Sequence, residues 1–278
     1  MNYRHLYHAG NFADVLKHIV LLGLIEALLR KETPFLFLDT HAGAGCYDLL
    51  SESAQKSKEF ENGINKILNK ENPPELVQRY LNYLPAQTPP LATYPGSPFF
   101  VRPLLRAQDR IIATELNPRE CRALASAVGR DRQLMVREMD GYQGLKAFLP
   151  PKERRGLVLI DPPYENPDEF SQLIKALTIA LDRWETGIYA LWYPIKERRL
   201  IDQFHKGLAE AIKREMLVIE LCIYPEDVSG HLNGCGMLII NPPWKFDQEM
   251  NSVLPWLWST LAVNNQGSYR HYPLKTSL

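Results

Sequence analysis

The chain has 278 residues, is 45% hydrophobic and carries 32 Lys and Arg against 32 Asp and Glu, a formal charge of zero. That length suits one large domain or two small ones with a substantial core, and the charge balance argues against a protein that coats nucleic acid by bulk electrostatics, although a local basic face stays open. No run of eighteen apolar residues and no apolar signal core with a cleavage site occur, so a cytoplasmic protein without a membrane span is expected.

Asn11 is a good helix cap, and Val15, Leu16, Ile19, Val20, Leu24 and Leu28 recur at helical spacing, predicting a helix over 11–31. "PFLFLDTHAGAG" (34–45) follows as a short apolar strand and a glycine-containing turn. Residues 48–93 change character. Phe60, Ile64, Ile67 and Leu68 keep helical spacing, and Pro73 and Pro74 open a second helix striped by Leu76, Val77, Tyr80, Leu81 and Leu84. This reads as a small helical insertion.

Strands are then expected at 110–116, 133–140, 156–161, 187–194, 216–225 and 235–241, with polar-faced helical segments between most of them. With 34–40 they make seven. The alternation predicts an α/β fold with a mostly parallel sheet covered on both faces. Only residues 226–234 join the last two strands, too few for a parallel crossover, so the last strand should run antiparallel as a hairpin. The segment 196–214 holds six Lys/Arg against three acids and reads as a solvated helix face. Residues 264–278 read as a loose tail. Cys46, Cys121, Cys222 and Cys235 are scattered, with no metal-binding spacing, and read as reduced, mostly buried thiols; no metal is expected.

Two strands end alike, in "DPPY" (Asp161, Pro162, Pro163, Tyr164) and in "NPPW" (Asn241, Pro242, Pro243, Trp244). Ligands of open α/β sheets bind outside the carboxyl ends of the parallel strands. Asp161 ends a strand expected to run parallel to the first, so it should face the crevice of the "DTHAGAG" turn. Asn241 ends the antiparallel strand and belongs at the opposite rim. "NPPW" is therefore read as structural, with Trp244 packing on a helix.

The chemistry of "DPPY" suits an exocyclic amine on a planar ring. Such an amine is a poor nucleophile because its lone pair is delocalised. Acceptors on its N–H groups localise that pair and aim it at an electrophilic methyl. Asp161 supplies one acceptor and the Pro162 carbonyl another, held by the stiff Pro-Pro backbone. The carboxylate also helps remove the departing proton. Tyr164 would stack on the extruded base, worth roughly 1–3 kcal/mol, comparable to the cost of extrusion.

For a nucleoside cofactor, "DTHAGAG" holds Gly43 and Gly45 but lacks the third glycine of the dinucleotide fingerprint. An acidic residue should end the second strand. Glu115 lies 76 residues after Asp39, and leaving out the 46 residues of 48–93 reduces this to 30, which fits one strand–helix–strand unit. Asp140 and Gly141, ending the third strand, are placed to meet an adenine. Lys17 and His18 are adjacent and diverge on their helix; they read as a surface lysine and a packed histidine.

Together "YRHLYHAGNFADVLKH", "LDTHAGAG", "YPGSP", "IDPPYE", "GIYALWYP" and "INPPWK" resemble the J-type bacterial large-subunit ribosomal RNA adenine-N6 methyltransferases, from about residue 3 to about residue 258. The resemblance implies a Rossmann-like class I methyltransferase domain (1–47 and 94–263) with a helical insertion (48–93) and a tail (264–278). It implies S-adenosylmethionine as methyl donor and one adenine of unassembled or partly assembled 23S ribosomal RNA as acceptor. By motif match it implies Asp161 as catalytic acceptor with Pro162 and Tyr164. His18, His41, Ser97, Glu115, Asp140, Gly141 and Asp161 would contact S-adenosylmethionine. Tyr3, His5 and Tyr164 would approach the adenine, and Lys17 would lie beside the cofactor. A monomer is expected, since nothing marks a dimer seam. Cys46 and the chain beyond Trp258 depart from the pattern.

Two other functions remain open at this stage. A DNA adenine-N6 methyltransferase uses the same tetrapeptide, but the insertion has five Lys/Arg against six acids, poorly suited to reading base edges. A non-catalytic RNA-binding protein on this fold would not need Asp161 and the cofactor-side residues intact.

Overall fold

Asn11 caps the first helix as its position predicts. Its Oδ1 accepts from the backbone N–H groups of Ala13 and Asp14, opening α1 (Phe12–Leu29). The computed structural model describes residues 5–85, 91–226, 228 and 230–276.

β1 (Leu36–Asp39) follows, then a short antiparallel pair, β2 (Cys46–Asp48) and β3 (Thr93–Pro95). Between them lie α2 (Glu52–Ser57), α3 (Ile64–Leu68) and α4 (Glu75–Asn82). After α5 (Ser97–Val101) strands and helices alternate: β4 (Arg110–Glu115), α6 (Pro118–Val128), β5 (Leu134–Glu138), α7 (Gly141–Phe148), β6 (Gly156–Ile160), α8 (Glu169–Arg183), β7 (Ile188–Ile195), α9 (Arg198–Ala211) and β8 (Met216–Cys222). The described chain closes with β9 (Gly234–Ile240), α10 (Phe246–Leu261) and β10 (Ser268–Pro273).

The main sheet runs β10-β8-β9-β7-β6-β1-β4-β5. Strand order reverses at β1, which pairs in parallel with both β4 and β6. β9 lies between β7 and β8, antiparallel to both, as its short connection to β8 requires. One apolar layer joins α1, α10 and the insertion to one face of the sheet. The other packs α7, α8 and α9 on the opposite face. α1 is apolar on nearly every side, as a helix buried between two layers must be.

The sheet has eight strands among the described residues, not seven. Ser268–Pro273, read as part of a loose tail, pairs antiparallel with β8 from Ser268↔Cys222 to Pro273↔Leu217. "SYRHYP" shows no apolar alternation because it is a half-exposed edge strand. Arg270 anchors it, its Nε 2.6 Å from the buried carboxylate of Glu220.

The insertion is helical as expected, and Asp48 and Thr93 face each other in the β2–β3 ribbon at its base. Ile64, Ile67, Val77 and Tyr80 join the core beneath α1. The helix predicted across Phe60–Leu68 is broken at Gly63 into a 3-10 turn and α3. Ile64 N donates to Gly10 O at 2.8 Å, and a Cβ on Gly63 would stand 2.1 Å from that oxygen. The close approach, not helical periodicity, decides this stretch. Trp244 also departs from expectation: it is 83% exposed, with Lys245 Nζ 5.9 Å from its ring, because the turn after β9 points outward before α10 begins.

Candidate active site

A cleft of about 1140 Å³ lies at the carboxyl ends of the parallel strands beside the reversal at β1. It exceeds the usual size of a single small-molecule site. One arm is lined by His18, His41, Gly43, Ser97, Glu115, Asp140 and Gly141. The other is lined by His5, Asp161, Pro162, Tyr164, Trp192 and the chain between β8 and β9. The structure thus brings the expected site residues to one cleft; Tyr3 lies outside the described residues.

Asp161 follows β6 directly. Its Oδ2 accepts from Lys17 Nζ at 2.6 Å, and Lys17 also reaches Asp14 Oδ1 at 2.8 Å. Oδ1 of Asp161 makes no hydrogen bond among the described residues, so it can receive an N–H donor. Lys17 is not a surface lysine: it is 5% exposed, because α1 turns this side toward the cleft. Burial opposes its charge, but the carboxylates of Asp14 and Asp161 hold its pKa well above the ordinary lysine value. Burial likewise works against the Asp14 carboxylate; His5 and Lys17 overcome it and hold the group well below its ordinary range. Asp14 Oδ2 binds His5 Nε2 at 2.9 Å and accepts from Gly10 N at 3.0 Å. The N-terminal segment is thereby joined to Asp161 through Asp14 and Lys17.

Tyr164 takes a left-handed backbone, φ 52°, and donates its hydroxyl to Trp192 O at 2.6 Å. Its ring meets Trp192 edge-on and Phe170 at a tilt. The aromatic of the tetrapeptide is thus fixed in place.

In the other arm, Glu115 ends β4. Oε2 accepts from Gly43 N at 2.8 Å and Oε1 from Asn117 N at 2.7 Å, fixing the carboxylate against the glycine turn. Burial raises its pKa. Asp140 caps α7, accepting from Gln143 N. Gly141 packs where a Cβ would stand 2.4 Å from Thr40 O and against the His41 ring, so only glycine leaves this floor open. Gly43 and Gly45 take φ of +60° and +80°, which their turn requires. Ser97 Oγ donates to Asp39 Oδ2 at 2.5 Å, and burial pushes Asp39 up to about 7.

His18 is packed, as expected, and stacks on Phe100. Its Nδ1 is 2.9 Å from the Tyr94 hydroxyl, and burial lowers its pKa to about 3. With Tyr94 donating to Nδ1, the Nε2 proton has no partner among the described residues, although the residue lines the cleft. Burial also lowers His41 to about 4, so both rings are neutral at pH 7. An orphaned donor, a glycine floor and an acidic strand end fit a nucleoside carrying a charged amino-acid tail.

Asn241 sits at the other rim. Its Nδ2 donates to Glu185 O and Gly187 O, before β7 begins, and residues 241–244 do not line the cleft. Sequence reasoning missed Asp14, whose place three residues before Lys17 on a helix was the available clue. It also missed Tyr142, which lines the cleft and donates to Glu169. Of the basic run at 196–214, Arg198 is not solvated but half-buried against Glu220 and Glu226. Cys121, Cys222 and Cys235 are buried free thiols and Cys46 is exposed.

Comparison with known proteins gives consistent matches. The family model described as "Ribosomal RNA large subunit methyltransferase D, RlmJ" matches residues 32–273. Ribosomal RNA large subunit methyltransferase J of Escherichia coli K12 is 44% identical over 269 residues, 96% of each chain. The protein of the same name from Haemophilus influenzae is 42% identical over 275 residues, 97% of each. A crystal structure of a Legionella pneumophila protein aligns with a TM-score of 0.86 at 36% identity, covering 97% of this chain and 99% of that one.

Proposed function

The chain belongs to the family of ribosomal RNA large subunit methyltransferases of the J type, and on that premise we propose that it methylates the exocyclic N6 of one adenine in 23S ribosomal RNA. The RNA is unassembled or partly assembled, so that the adenine can leave its stack. The single observation that carries the reading is Asp161: a carboxylate at the end of β6, held by Lys17 through Oδ2 and leaving Oδ1 to the cleft.

S-adenosylmethionine, when bound, supplies an electrophilic methyl on a sulfonium. His18, His41, Ser97, Glu115, Asp140, Gly141 and Asp161 would hold it. Glu115, with both oxygens fixed by backbone N–H groups, is set to accept from ribose hydroxyls. The Nε2 donor of His18 suits a carboxylate. Asp161 Oδ1 accepts from the adenine amino group and the Pro162 carbonyl takes its second N–H, localising the lone pair. Lys17 fixes the orientation of the Asp161 carboxylate. Tyr164 provides a fixed face for the base, and His5 approaches from the N-terminal segment. The proton released after transfer leaves through Asp161.

No helix among the described residues is long and apolar enough to cross a membrane. We place the enzyme in the cytoplasm, acting as a monomer.

The test is transfer of labelled methyl to protein-free 23S RNA from cells lacking the enzyme, followed by nucleoside analysis. N6-methyladenosine at one site is expected. Product only on duplex DNA would overturn the substrate, and absence of product from protein that binds S-adenosylmethionine would overturn the reaction.

A further inference from the structure

The cleft has a wall that the methyl-transfer chemistry does not use. It is made by the turn after β7 and the chain between β8 and β9, and it carries Lys196, Tyr224 and His231. Tyr224 and His231 form a tilted pair, centroids 5.3 Å apart, the tyrosine half-buried and the histidine exposed. Lys196 is exposed and has no ion pair among the described residues.

This wall is built, not draped. Asn233 is fully buried, and the two N–H groups of its Nδ2 are shared among the carbonyls of Lys196 at 3.0 Å, Glu226 at 3.1 Å and Val228 at 3.0 Å. Its backbone N donates to Ile195 O, and its carbonyl accepts from both Ile223 N and Tyr224 N. One side chain thus welds the two segments together. Two acids nearby are already paired. Glu226 is held by Arg198 at 2.7 Å and Glu220 by Arg198 at 2.9 Å and Arg270 at 2.6 Å. What the two segments present to the cleft includes an aromatic face and the Lys196 ammonium, which has no ion pair among the described residues. Glu197 also lines the cleft, so Lys196 offers one phosphate contact and not a basic track.

Resting on the reading of the cleft as an RNA adenine site, we propose that Lys196, Tyr224 and His231 form a subsite for a nucleotide flanking the target adenine. Its base stacks on the Tyr224–His231 face and its phosphate meets Lys196. Stacking tolerates any base, so the subsite holds the strand open beside the target without reading sequence there. An extruded adenine leaves neighbours with one face uncovered, and a fixed aromatic wall covers one of them.

The experiment uses full-length Tyr224→Ala, Tyr224→Phe and Lys196→Gln enzymes with protein-free 23S RNA. RNA affinity is measured by filter binding, independently of turnover, and KM and kcat by methyl transfer. Tyr224→Ala should weaken RNA binding and raise KM about tenfold, within the range for losing one base stack, with S-adenosylmethionine affinity retained. Tyr224→Phe should recover the wild-type values. Lys196→Gln should lower the slope of log affinity against log salt by about 0.7, the loss of one phosphate contact to a single strand. Unchanged RNA affinity in either Tyr224→Ala or Lys196→Gln overturns the subsite. So does a Tyr224→Phe enzyme as weak as Tyr224→Ala. A wild-type enzyme that methylates no RNA overturns the underlying reading instead.

Discussion

Lys17 Nζ lies 2.6 Å from Asp161 Oδ2, a contact between residues 144 positions apart. Both sit where the first helix meets the end of β6, and Asp14 completes the set from the same helix. A lysine between two carboxylates holds one of them aimed at the cleft, while the other anchors the N-terminal segment through His5.

Removing that lysine leaves Asp14 and Asp161 facing each other with no cation between them. Breaking a buried ion pair from one side costs roughly 3–5 kcal/mol. Lys17→Met should lower stability by that order and slow methyl transfer at least tenfold. Urea unfolding and single-turnover rates check this. A Lys17→Met protein as stable and as fast as the wild type would remove the triad from the account.

Gly141→Ala should abolish the cofactor arm without touching Asp161, because the new methyl meets Thr40 O and His41. Calorimetry should show S-adenosylmethionine affinity falling more than tenfold in a folded variant. Unchanged affinity would mean that the floor beneath Gly141 is not where the cofactor lies.

At the far rim, Asn241 has φ 56° and ties two carbonyls before β7. Asn241→Ala should cost about 1–3 kcal/mol of stability from the lost hydrogen bonds, with kcat unchanged at a temperature where the protein is folded. A selective loss of turnover would place this turn in the mechanism.

The buried histidines make stability fall in mild acid. His18 and His41 titrate near 3 and 4 in the folded chain but near 6.5 when unfolded. Unfolding therefore takes up their protons as pH falls below about 6.5. Asp39 works in the opposite sense: at about 7 against an ordinary 3.8, it favours the folded state at low pH and loses that contribution as pH rises through about 7. Two protons against one, with the unfolded histidines only partly protonated toward pH 6, leave a slope of roughly 1 kcal/mol per pH unit between pH 5 and 6 from these three groups. Urea unfolding across that range should show His18→Gln with a shallower slope than the wild type. An identical slope would mean that His18 is not held neutral.

Much of the central sheet is legible in the sequence because its strands are short apolar runs between turn formers. The antiparallel β9 follows from a connection too short to cross over, and that deduction separates Asp161 from Asn241. The remainder lies in contacts that periodicity does not encode. Gly63 breaks a helix because Gly10 O approaches it. β10 is a strand because Arg270 finds Glu220 across the sheet. Lys17 looks like a surface residue until the fold brings Asp161 to it.

The most direct measurement is single-turnover methyl transfer to protein-free 23S RNA by Asp161→Asn enzyme loaded with S-adenosylmethionine. The account predicts cofactor binding within several-fold of wild type and transfer slowed at least a hundredfold, the scale of losing one preorganised acceptor of developing charge. Transfer near the wild-type rate, from a folded enzyme holding its cofactor, would contradict the central role given to Asp161.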